Sequence, residues 1–329
     1  MKPYFETENG KLYHGDCLEI LNSLPESLIQ CCVTSPPYWG LRDYGTDNQL
    51  GLEKSPEIYV QKMVEVFRLV RELLKDDGVL WLNLGDSYAG STGQTGGKGL
   101  NTYQKEAKAT DKMMRNSKIE GLKPKDLVGI PWMVAFALRA DGWWLRQDII
   151  WAKPNPMPES VQDRCTKAHE YIFLLSKSGK YYYNAESIME DALYDGRKDT
   201  KMKGSIKYNT SVVPGQAAHS FAVRGHERWP STKNGKPVKN KRSVWTVPTK
   251  PYSGAHFATF PPALIEPCIL AGCPKGGVIL DPFMGAGTTA IVAEKLNRKW
   301  IGIELSLDYC RIAKERIERE LQQKKIQGF

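Results

Sequence analysis

The sequence lacks the features that mark a membrane or exported protein. No apolar run approaches the roughly 20 residues that cross a bilayer, and the first residues, MKPYFETENGKLYHGD, lack the apolar segment of a secretory signal. The seven cysteines are an odd number, and they do not have the spacing of a zinc site. We therefore expect a cytoplasmic protein with buried free thiols, no membrane association and no bound metal.

The composition is that of a soluble globular protein, with 329 residues of which 41% are hydrophobic and 25% are charged. The net charge is +9, and the excess is unevenly distributed. Between Arg197 and Arg242 there are 12 Lys and Arg residues against two acidic residues, and a weaker basic patch runs from Lys98 to Lys125. This bias favours a polyanionic partner, although basic loops are often only solvated surface.

Short apolar segments alternate with longer segments of helical spacing. This alternation predicts a doubly wound α/β fold with a mostly parallel, Rossmann-like sheet. The predicted strands are residues 12–14, 28–33, 79–84, 144–151, 170–175, 278–280 and 300–303. The predicted helices are residues 57–74, 126–140, 262–271, 288–296 and 307–322.

Two polar, basic segments interrupt this pattern. Residues 90–125 are rich in Gly, Ser, Thr and Lys, and residues 187–247 have no clear periodicity. We expect the first to be a mobile loop and the second to be an insertion. The framework would then consist of residues 1–186 and 248–329.

A glycine-rich motif stands near the C-terminus, in VILDPFMGAGTTAIVAEKLNRKWIGIE. Gly285, Gly287 and Ala290 fit the dinucleotide-binding fingerprint between a strand and a helix, and Glu304 is near the expected distance for ribose hydroxyls. The alternative is a tight turn without a ligand. Asp281 would repel a pyrophosphate at this helix N-terminus and would favour a cation. The two carboxylates therefore favour S-adenosyl-L-methionine, which carries a sulfonium and an ammonium group, over NAD.

A rigid turn follows the predicted strand 28–33. In CVTSPPYWG, two prolines that cannot donate backbone hydrogen bonds end the strand, and aromatic residues follow them. TSPPY together with DPFMGAGTT resembles the amino-methylating DNA methyltransferases, and the resemblance extends to WAKPNPMPES, AHEYIFLLSKSGKYYYN and HFATFPPALIEPCI. The turn precedes the cofactor loop, as in the β group of that family. The resemblance therefore implies a circularly permuted methyltransferase fold.

The resemblance implies that Ser35, Pro36, Pro37 and Tyr38 form the catalytic turn. An exocyclic amine is a poor nucleophile because its lone pair is delocalised into the ring. Ser35 Oγ and the Pro36 carbonyl would localise that lone pair by accepting the amine hydrogens, and the prolines hold these acceptors in place. Tyr38 would stack on the flipped base and supply about 1–3 kcal/mol toward the cost of unstacking it.

The resemblance also implies roles for residues outside the turn. The cofactor would be bound by Asp16, His256, Thr259, Phe260, Asp281, Phe283, Gly285, Gly287, Thr288, Thr289 and Glu304. Asn83 or Asp86 could hydrogen-bond the ring edge of the target base, or could merely cap a loop.

The target amine is predicted from the first residue of the turn. In the family, Ser goes mainly with cytosine N4, and Asp or Asn with adenine N6. Ser35 therefore favours cytosine N4, and adenine N6 is the alternative. Carbon-5 methylation needs a thiolate, but the single Pro-Cys pair, Pro267-Cys268, falls in a predicted helix. A methyltransferase acting on a protein amide and an inactive nucleic-acid-binding protein are further alternatives.

The basic insertion 187–247 is the predicted DNA-recognition segment. Its plausible base readers are Arg224, His226, Arg228 and Trp229, and its phosphate-binding residues include Lys233, Lys236, Lys239 and Lys241. The implied partner is double-stranded DNA, in a protein of the bacterial, prophage or phage-encoded type. A cognate restriction endonuclease is left open, as is the choice between monomer and homodimer.

Overall fold

The computed structural model describes residues 1–40, 49–89, 121–192, 232–233, 236–249 and 260–326. The strands are β1 (Phe5–Glu6), β2 (Gly10–His14), β3 (Ile29–Thr34), β4 (Leu74–Leu84), β5 (Trp144–Ala152), β6 (His169–Ser176), β7 (Glu190–Asp191), β8 (Thr232–Lys233), β9 (Lys236–Lys239), β10 (Val244–Thr246), β11 (Val278–Asp281) and β12 (Lys299–Glu304). The helices are α1 (Cys17–Ser23), α2 (Pro56–Leu73), α3 (Ile130–Ala140), α4 (Pro262–Gly272), α5 (Thr288–Lys295) and α6 (Leu307–Ile326).

The main sheet has nine described strands in the order β1-β2-β12-β11-β3-β4-β6-β5-β10. The strands β2, β12, β11, β3 and β4 are parallel, so they all end at one edge of the sheet. β6 is antiparallel to both β4 and β5, and its first residues therefore lie at that same edge. This mostly parallel sheet, combined with helices, confirms the predicted α/β fold class.

Helices cover both faces of the sheet. α1, α2 and α3 pack as one set, and α4, α5 and α6 pack as a second set. Cys32 belongs to the apolar core of the first set, whereas the adjacent Cys31 lies against Gly272 of α4. Because successive strand residues point to opposite faces, the two sets lie on opposite faces. Packing on both faces explains why all six residues of β3 are buried and most of them are apolar.

Local signals determine where the helices begin. α2 follows Ser55, whose hydroxyl accepts a hydrogen bond from the Ile58 N–H, and Pro56 occupies its first position. α3 begins at Ile130 and not at residue 126 as predicted, because Gly129 has a positive φ of 85°. β4 begins earlier than predicted, at Leu74. The short strands β1 and β7 to β10 were not predicted from the sequence.

The chain divides into two compact units, Met1–Ser187 with Arg242–Phe329, and Ile188–Lys241. The second unit contains a three-stranded antiparallel sheet in the order β7-β9-β8. The predicted insertion 187–247 extends beyond this unit, because β10 pairs with β5 of the main sheet. Residues 90–120 of the predicted mobile loop lie outside the described residues.

All seven cysteines are free, and all except Cys165 are buried. Cys268 lies inside α4 and is 1% exposed, which agrees with its exclusion as a carbon-5 nucleophile. Within the part of the chain that the structure describes, no helix has the length and apolar character needed to cross a bilayer.

Candidate active site

The two sequence motifs leave the sheet side by side. β3 and β11 are adjacent parallel strands in which Cys32 pairs with Leu280. The Thr34 hydroxyl donates a 2.6 Å hydrogen bond to Asp281 Oδ1 across the junction. After β11 the chain continues through α5 to β12, on one side of the junction. After β3 it continues through α2 to β4, on the other side. Such a switch point is where doubly wound folds bind ligands.

The glycine loop between β11 and α5 has room for close approach by a ligand. Gly285 has a φ of 51°, and a Cβ atom on it would meet no heavy atom closer than the Phe283 carbonyl oxygen at 4.0 Å. Gly287 has a φ of 82°, and a Cβ atom there would lie 3.1 Å from Ala313 of α6. Glycine at 287 thus permits helix packing, whereas glycine at 285 leaves open space beside the backbone.

Asp281 is a buried carboxylate at the end of β11, with 1% of its surface exposed. It accepts hydrogen bonds from the Thr34 hydroxyl, from the Thr289 hydroxyl at 2.6 Å and from the Phe283 N–H at 3.1 Å. Burial raises its pKa from 3.8 to about 6, although these hydrogen bonds favour the charged form. No lysine or arginine among the described residues offsets this burial.

Glu304 supplies a second carboxylate, at the end of β12. It accepts hydrogen bonds from the N–H groups of Gly285 at 2.7 Å and Ser306 at 2.8 Å. Burial, with a smaller effect of the nearby Asp281, raises its pKa from 4.5 to about 7. Neither of these buried carboxylates forms an ion pair with a Lys or Arg in the described ranges, although Arg316 donates to the Ala286 carbonyl of the same loop, so negative charge is in local excess. The residues present therefore fit a cationic cofactor.

Four of the other residues predicted to bind the cofactor, Phe283, Thr288, Asp16 and Phe260, lie on described parts of the chain. Phe283 is half-buried and packs against the apolar core. Thr288 is buried at the start of α5. Asp16 follows β2, and its side chain caps α1 by accepting hydrogen bonds from backbone N–H groups. Phe260 is half-buried just before α4. Two further predicted residues lie outside the described chain, His256 and Thr259.

The Ser-Pro-Pro-Tyr turn is anchored at its centre. Pro36 is buried, and the Pro37 carbonyl accepts a 2.9 Å hydrogen bond from the Tyr59 hydroxyl of α2. Ser35 is half-buried, and its hydroxyl donates to the Tyr38 hydroxyl over 3.3 Å. The turn therefore keeps Ser35 partly accessible while its backbone is fixed.

The ring of Tyr38 is held at both ends. A Cβ atom on Gly85, just after β4, would lie 2.5 Å from the ring, so the ring rests directly on backbone. The Tyr38 hydroxyl donates to Glu170 at 2.7 Å and lies 3.2 Å from Asn83 Oδ1. Burial, followed by the charge of Glu170, raises the pKa of Tyr38 well above its ordinary value. The phenol therefore keeps its proton at neutral pH.

Asn83 and Asp86, the residues predicted to contact the target base, both make framework contacts. Asn83 is buried, and its amide donates a 3.0 Å hydrogen bond to the Tyr171 carbonyl. Asp86 Oδ1 accepts hydrogen bonds from the N–H groups of Gly129 at 2.9 Å and Ile130 at 3.0 Å, at the start of α3. Contact with a base stays a prediction for both residues.

Glu170 and Lys153 are site residues that the sequence analysis missed. The Glu170 carboxylate, at the start of β6, accepts hydrogen bonds from Tyr38 and Asn83 and forms a close ion pair with Lys153. Both side chains are largely buried, at 15% and 18% exposed. Their segments resemble family segments, but an apolar strand pattern does not reveal that β6 is antiparallel. That direction brings Glu170 to the turn.

A family model described as DNA methylase, of the N6/N4 methyltransferases, matches residues 29–315. This range contains the Ser-Pro-Pro-Tyr turn, the glycine loop and the ion pair of Glu170 with Lys153. The chain belongs to the N6/N4 DNA methylase family. It is accordingly a DNA methyltransferase, and the predicted family is confirmed.

Curated relatives of this methylase align with nearly its whole length. The Type II methyltransferase M.SmaI of Serratia marcescens is 46% identical over 94% of this chain and 91% of that protein. The Type II methyltransferase M.Cfr9I of Citrobacter freundii is 43% identical over 96% of this chain and 90% of that protein.

Solved structures share the fold of the methylase. The PvuII DNA methyltransferase, described as cytosine-N4-specific, matches with a TM-score of 0.62 at 19% identity, over 98% of this chain and 94% of that one. TTHA0409 of Thermus thermophilus, solved with S-adenosyl-L-methionine, matches with a TM-score of 0.56 at 24% identity, over 94% and 93%.

Four of the lysines predicted to bind DNA lie on described backbone of the methylase. Lys233 lies in β8, Lys236 and Lys239 lie in β9, and Lys241 follows β9. The Lys239 ammonium is 3.6 Å from the Glu190 carboxylate. The remaining predicted residues lie outside the described ranges, namely Arg224, His226, Arg228 and Trp229.

Proposed function

We propose that the chain is a site-specific DNA methyltransferase that transfers methyl from S-adenosyl-L-methionine to the exocyclic N4 amine of a flipped cytosine in duplex DNA. The observation that supports this most directly is the junction of β3 and β11, where Thr34 donates to Asp281. A base at the turn and a cofactor at the glycine loop meet at one edge of the sheet.

The glycine loop fits the cofactor. When bound, S-adenosyl-L-methionine supplies an electrophilic methyl group on a sulfonium. Asp281 and Glu304 contribute negative charge for this cation, and Gly285 leaves its backbone open to a ligand. A carboxylate has about four lone-pair sites, so Glu304 can accept hydrogen bonds from ribose hydroxyls while it holds the Gly285 and Ser306 N–H groups.

The turn supplies hydrogen-bond acceptors and no strong base. Ser35 Oγ and the Pro36 carbonyl accept the two hydrogens of the exocyclic amine and localise its lone pair. Because the prolines and the Tyr59 hydrogen bond fix the turn, little reorganisation is left for the transfer step. The methylated amine is strongly acidic before it loses its extra proton, so a neutral Ser35 is sufficient.

Base flipping and DNA binding use other parts of the chain. Tyr38 stacks on the extruded base, which offsets part of an unstacking cost of a few kcal/mol. The basic segment between Arg197 and Arg242 binds phosphates, and contacts within it read the site. M.SmaI and M.Cfr9I are named Type II methyltransferases, and we assign this chain the same class of DNA modification, with a cognate restriction endonuclease as a possible partner.

The choice of cytosine N4 rests on Ser35. In the amino-methylating enzymes that the chain resembles, Ser at this position goes mainly with cytosine and Asp or Asn with adenine. The matching family model spans both N6 and N4 enzymes, so adenine N6 is the second candidate.

Expression of the chain in a methylation-free bacterial host tests this function. Sequencing of the host DNA by a method that distinguishes 4-methylcytosine from 6-methyladenine should reveal 4-methylcytosine within one short sequence. A S35A variant serves as the matched control and should leave the DNA unmodified. Methylated adenine would move the assignment to N6, and unmodified DNA in the wild type would contradict the proposed activity.

A further inference from the structure

Glu170 reaches the catalytic turn because of the direction of β6. β4 and β6 pair with Leu84 opposite Tyr171, so the start of β6 lies beside the end of β4. Glu170 is thus next to Asn83 and Tyr38, far from both in the chain. Lys153 pairs with Glu170 from the end of β5. A carboxylate this buried is costly unless its charge is paired and hydrogen-bonded, as it is here.

The hydrogen bonds around Tyr38 have one favoured direction of donation. A phenol has a single proton, and a carboxylate only accepts, so the 2.7 Å contact assigns the Tyr38 proton to Glu170. The Tyr38 oxygen is then left as an acceptor toward Ser35, 3.3 Å away. Ser35 donates a hydrogen bond to the Tyr38 oxygen, and its lone pairs are free to accept a hydrogen bond from another group.

We propose that Glu170 is a positioning residue for methyl transfer. By accepting the hydrogen bond of the Tyr38 hydroxyl, it holds the Ser35 hydroxyl in the orientation that accepts hydrogen from the target amine. This assignment rests on the proposed function, because it concerns the same turn and the same amine. Glu170 acts through Tyr38 and Ser35, and its carboxylate is held by the ion pair with Lys153.

Glu170→Gln tests this direction of hydrogen-bond donation while preserving side-chain shape. An amide can turn its NH₂ group toward the Tyr38 oxygen, which releases the Tyr38 proton to point at Ser35, 3.3 Å away, or at Asn83 Oδ1, 3.2 Å away. When it points at Ser35, Ser35 presents its proton, and not a lone pair, to the amine. Glu159→Gln is the matched control, because Glu159 also pairs with a cation, Arg164, but its described contacts do not reach the turn.

The expected result is a loss of kcat with binding retained. E170Q should lower kcat for duplex DNA by about 10- to 100-fold, with the KM for DNA and the calorimetric Kd for S-adenosyl-L-methionine near wild type. Y38F, which removes the same hydroxyl, should lower kcat to a similar degree. The double variant should lose little more, since both changes break one link. E159Q should keep wild-type kcat.

The outcomes separate this assignment from the proposed function. A wild-type kcat in E170Q overturns the assignment, as does a fully additive loss in the double variant. A parallel loss of cofactor affinity and melting temperature in E170Q would indicate a merely structural role and also overturns it. If E170Q does not fold, wild-type kcat in Y38F overturns it. A wild-type protein that methylates no DNA overturns the proposed function itself.

Discussion

The two halves of the site hold buried carboxylates in opposite electrostatic settings. In the cofactor half, Asp281 and Glu304 are surrounded by hydroxyl and N–H donors, and burial raises their pKa values to about 6 and about 7. In the target half, Glu170 is paired with Lys153 and accepts a hydrogen bond from the Tyr38 hydroxyl. Lys153 thus forms an ion pair with Glu170, whereas no described Lys or Arg forms an ion pair with Asp281 or Glu304; Arg316 lies at the glycine loop but donates to the Ala286 carbonyl.

This difference indicates which half of the site depends on a bound ligand for the positive charge that compensates its carboxylates. A buried carboxylate without a cation costs free energy, and a bound cation returns part of that cost. The target half is already compensated, and its substrate, an exocyclic amine, is neutral. We infer that the cofactor half is preorganised for positive charge and the target half for hydrogen bonding.

Removing one negative charge from each half should weaken cofactor binding in the cofactor half and leave it unchanged in the target half. Asp281→Asn takes away the negative charge and leaves the Thr34 and Thr289 hydroxyls facing an amide. We expect cofactor affinity to fall by about 100-fold or more, since hydrogen bonds to charged groups are each worth about 1.5–3 kcal/mol. Calorimetric titration with S-adenosyl-L-methionine measures the loss. E170Q is the partner variant, and a comparable loss of affinity there would erase the distinction between the halves.

Acid should weaken cofactor binding through the same two carboxyl groups. Their folded pKa values lie above their unfolded values, so the folded protein holds more protons and its stability falls as pH rises from about 4 to about 7. A cation favours the ionised forms, so affinity should rise through about pH 6 to 7. We expect binding at about pH 5.5 to be about 100-fold weaker than at about pH 8, because both groups are largely protonated at the lower pH.

Calorimetry over a pH series at constant ionic strength checks this dependence. E304Q removes the group that titrates at about 7 and should move the midpoint down toward about 6. Affinity that is flat from about pH 5 to about pH 8 would show that these carboxyl groups do not sense the cofactor.

The hydrogen bond that joins the two halves, from Thr34 to Asp281, can be removed without changing the charge of the site. Thr34→Val is nearly isosteric and removes one donor to Asp281. Cofactor affinity should fall by about tenfold, and the pH dependence should shift upward because the charged form of Asp281 loses a hydrogen bond. Thr246→Val, at an exposed position of β10, is the control. An unshifted pH profile in T34V would remove Thr34 from the cofactor site.

The cofactor half was predictable from the sequence because its determinants are local. Asp281, the glycines and Glu304 belong to one strand–loop–helix–strand segment, and a pair of prolines marks the end of β3. Gly285 and Gly287 do have the positive φ that such a loop needs. The turn precedes the cofactor loop along the chain, as in the β group, and in that group's fold this order implies that β3 and β11 are adjacent.

The target half was only partly predictable, because its contacts depend on strand direction. Apolar periodicity predicts that 170–175 is a strand, but not that it runs antiparallel between β4 and β5. The location of Glu170 beside Tyr38 therefore had no signal in the sequence. Asp86 illustrates the same limit, since its hydrogen bonds to Gly129 and Ile130 arise from packing. Sequence reasoning could name the residue types but not their partners.

The smallest effect on cofactor binding is expected in the second unit, for which we propose contacts with DNA phosphates and no part in the transfer step. Replacing Lys233, Lys236, Lys239 and Lys241 by Gln should weaken duplex binding and leave cofactor affinity unchanged. For each phosphate that is no longer neutralised, the slope of log K against log salt should become shallower by about 0.9. Fluorescence anisotropy at several salt concentrations measures this slope, with a Lys314→Gln variant on α6 as the control. A slope equal to that of wild type would exclude these lysines from the DNA interface, whereas a shallower slope with unaltered cofactor affinity would separate DNA binding from the two halves of the active site.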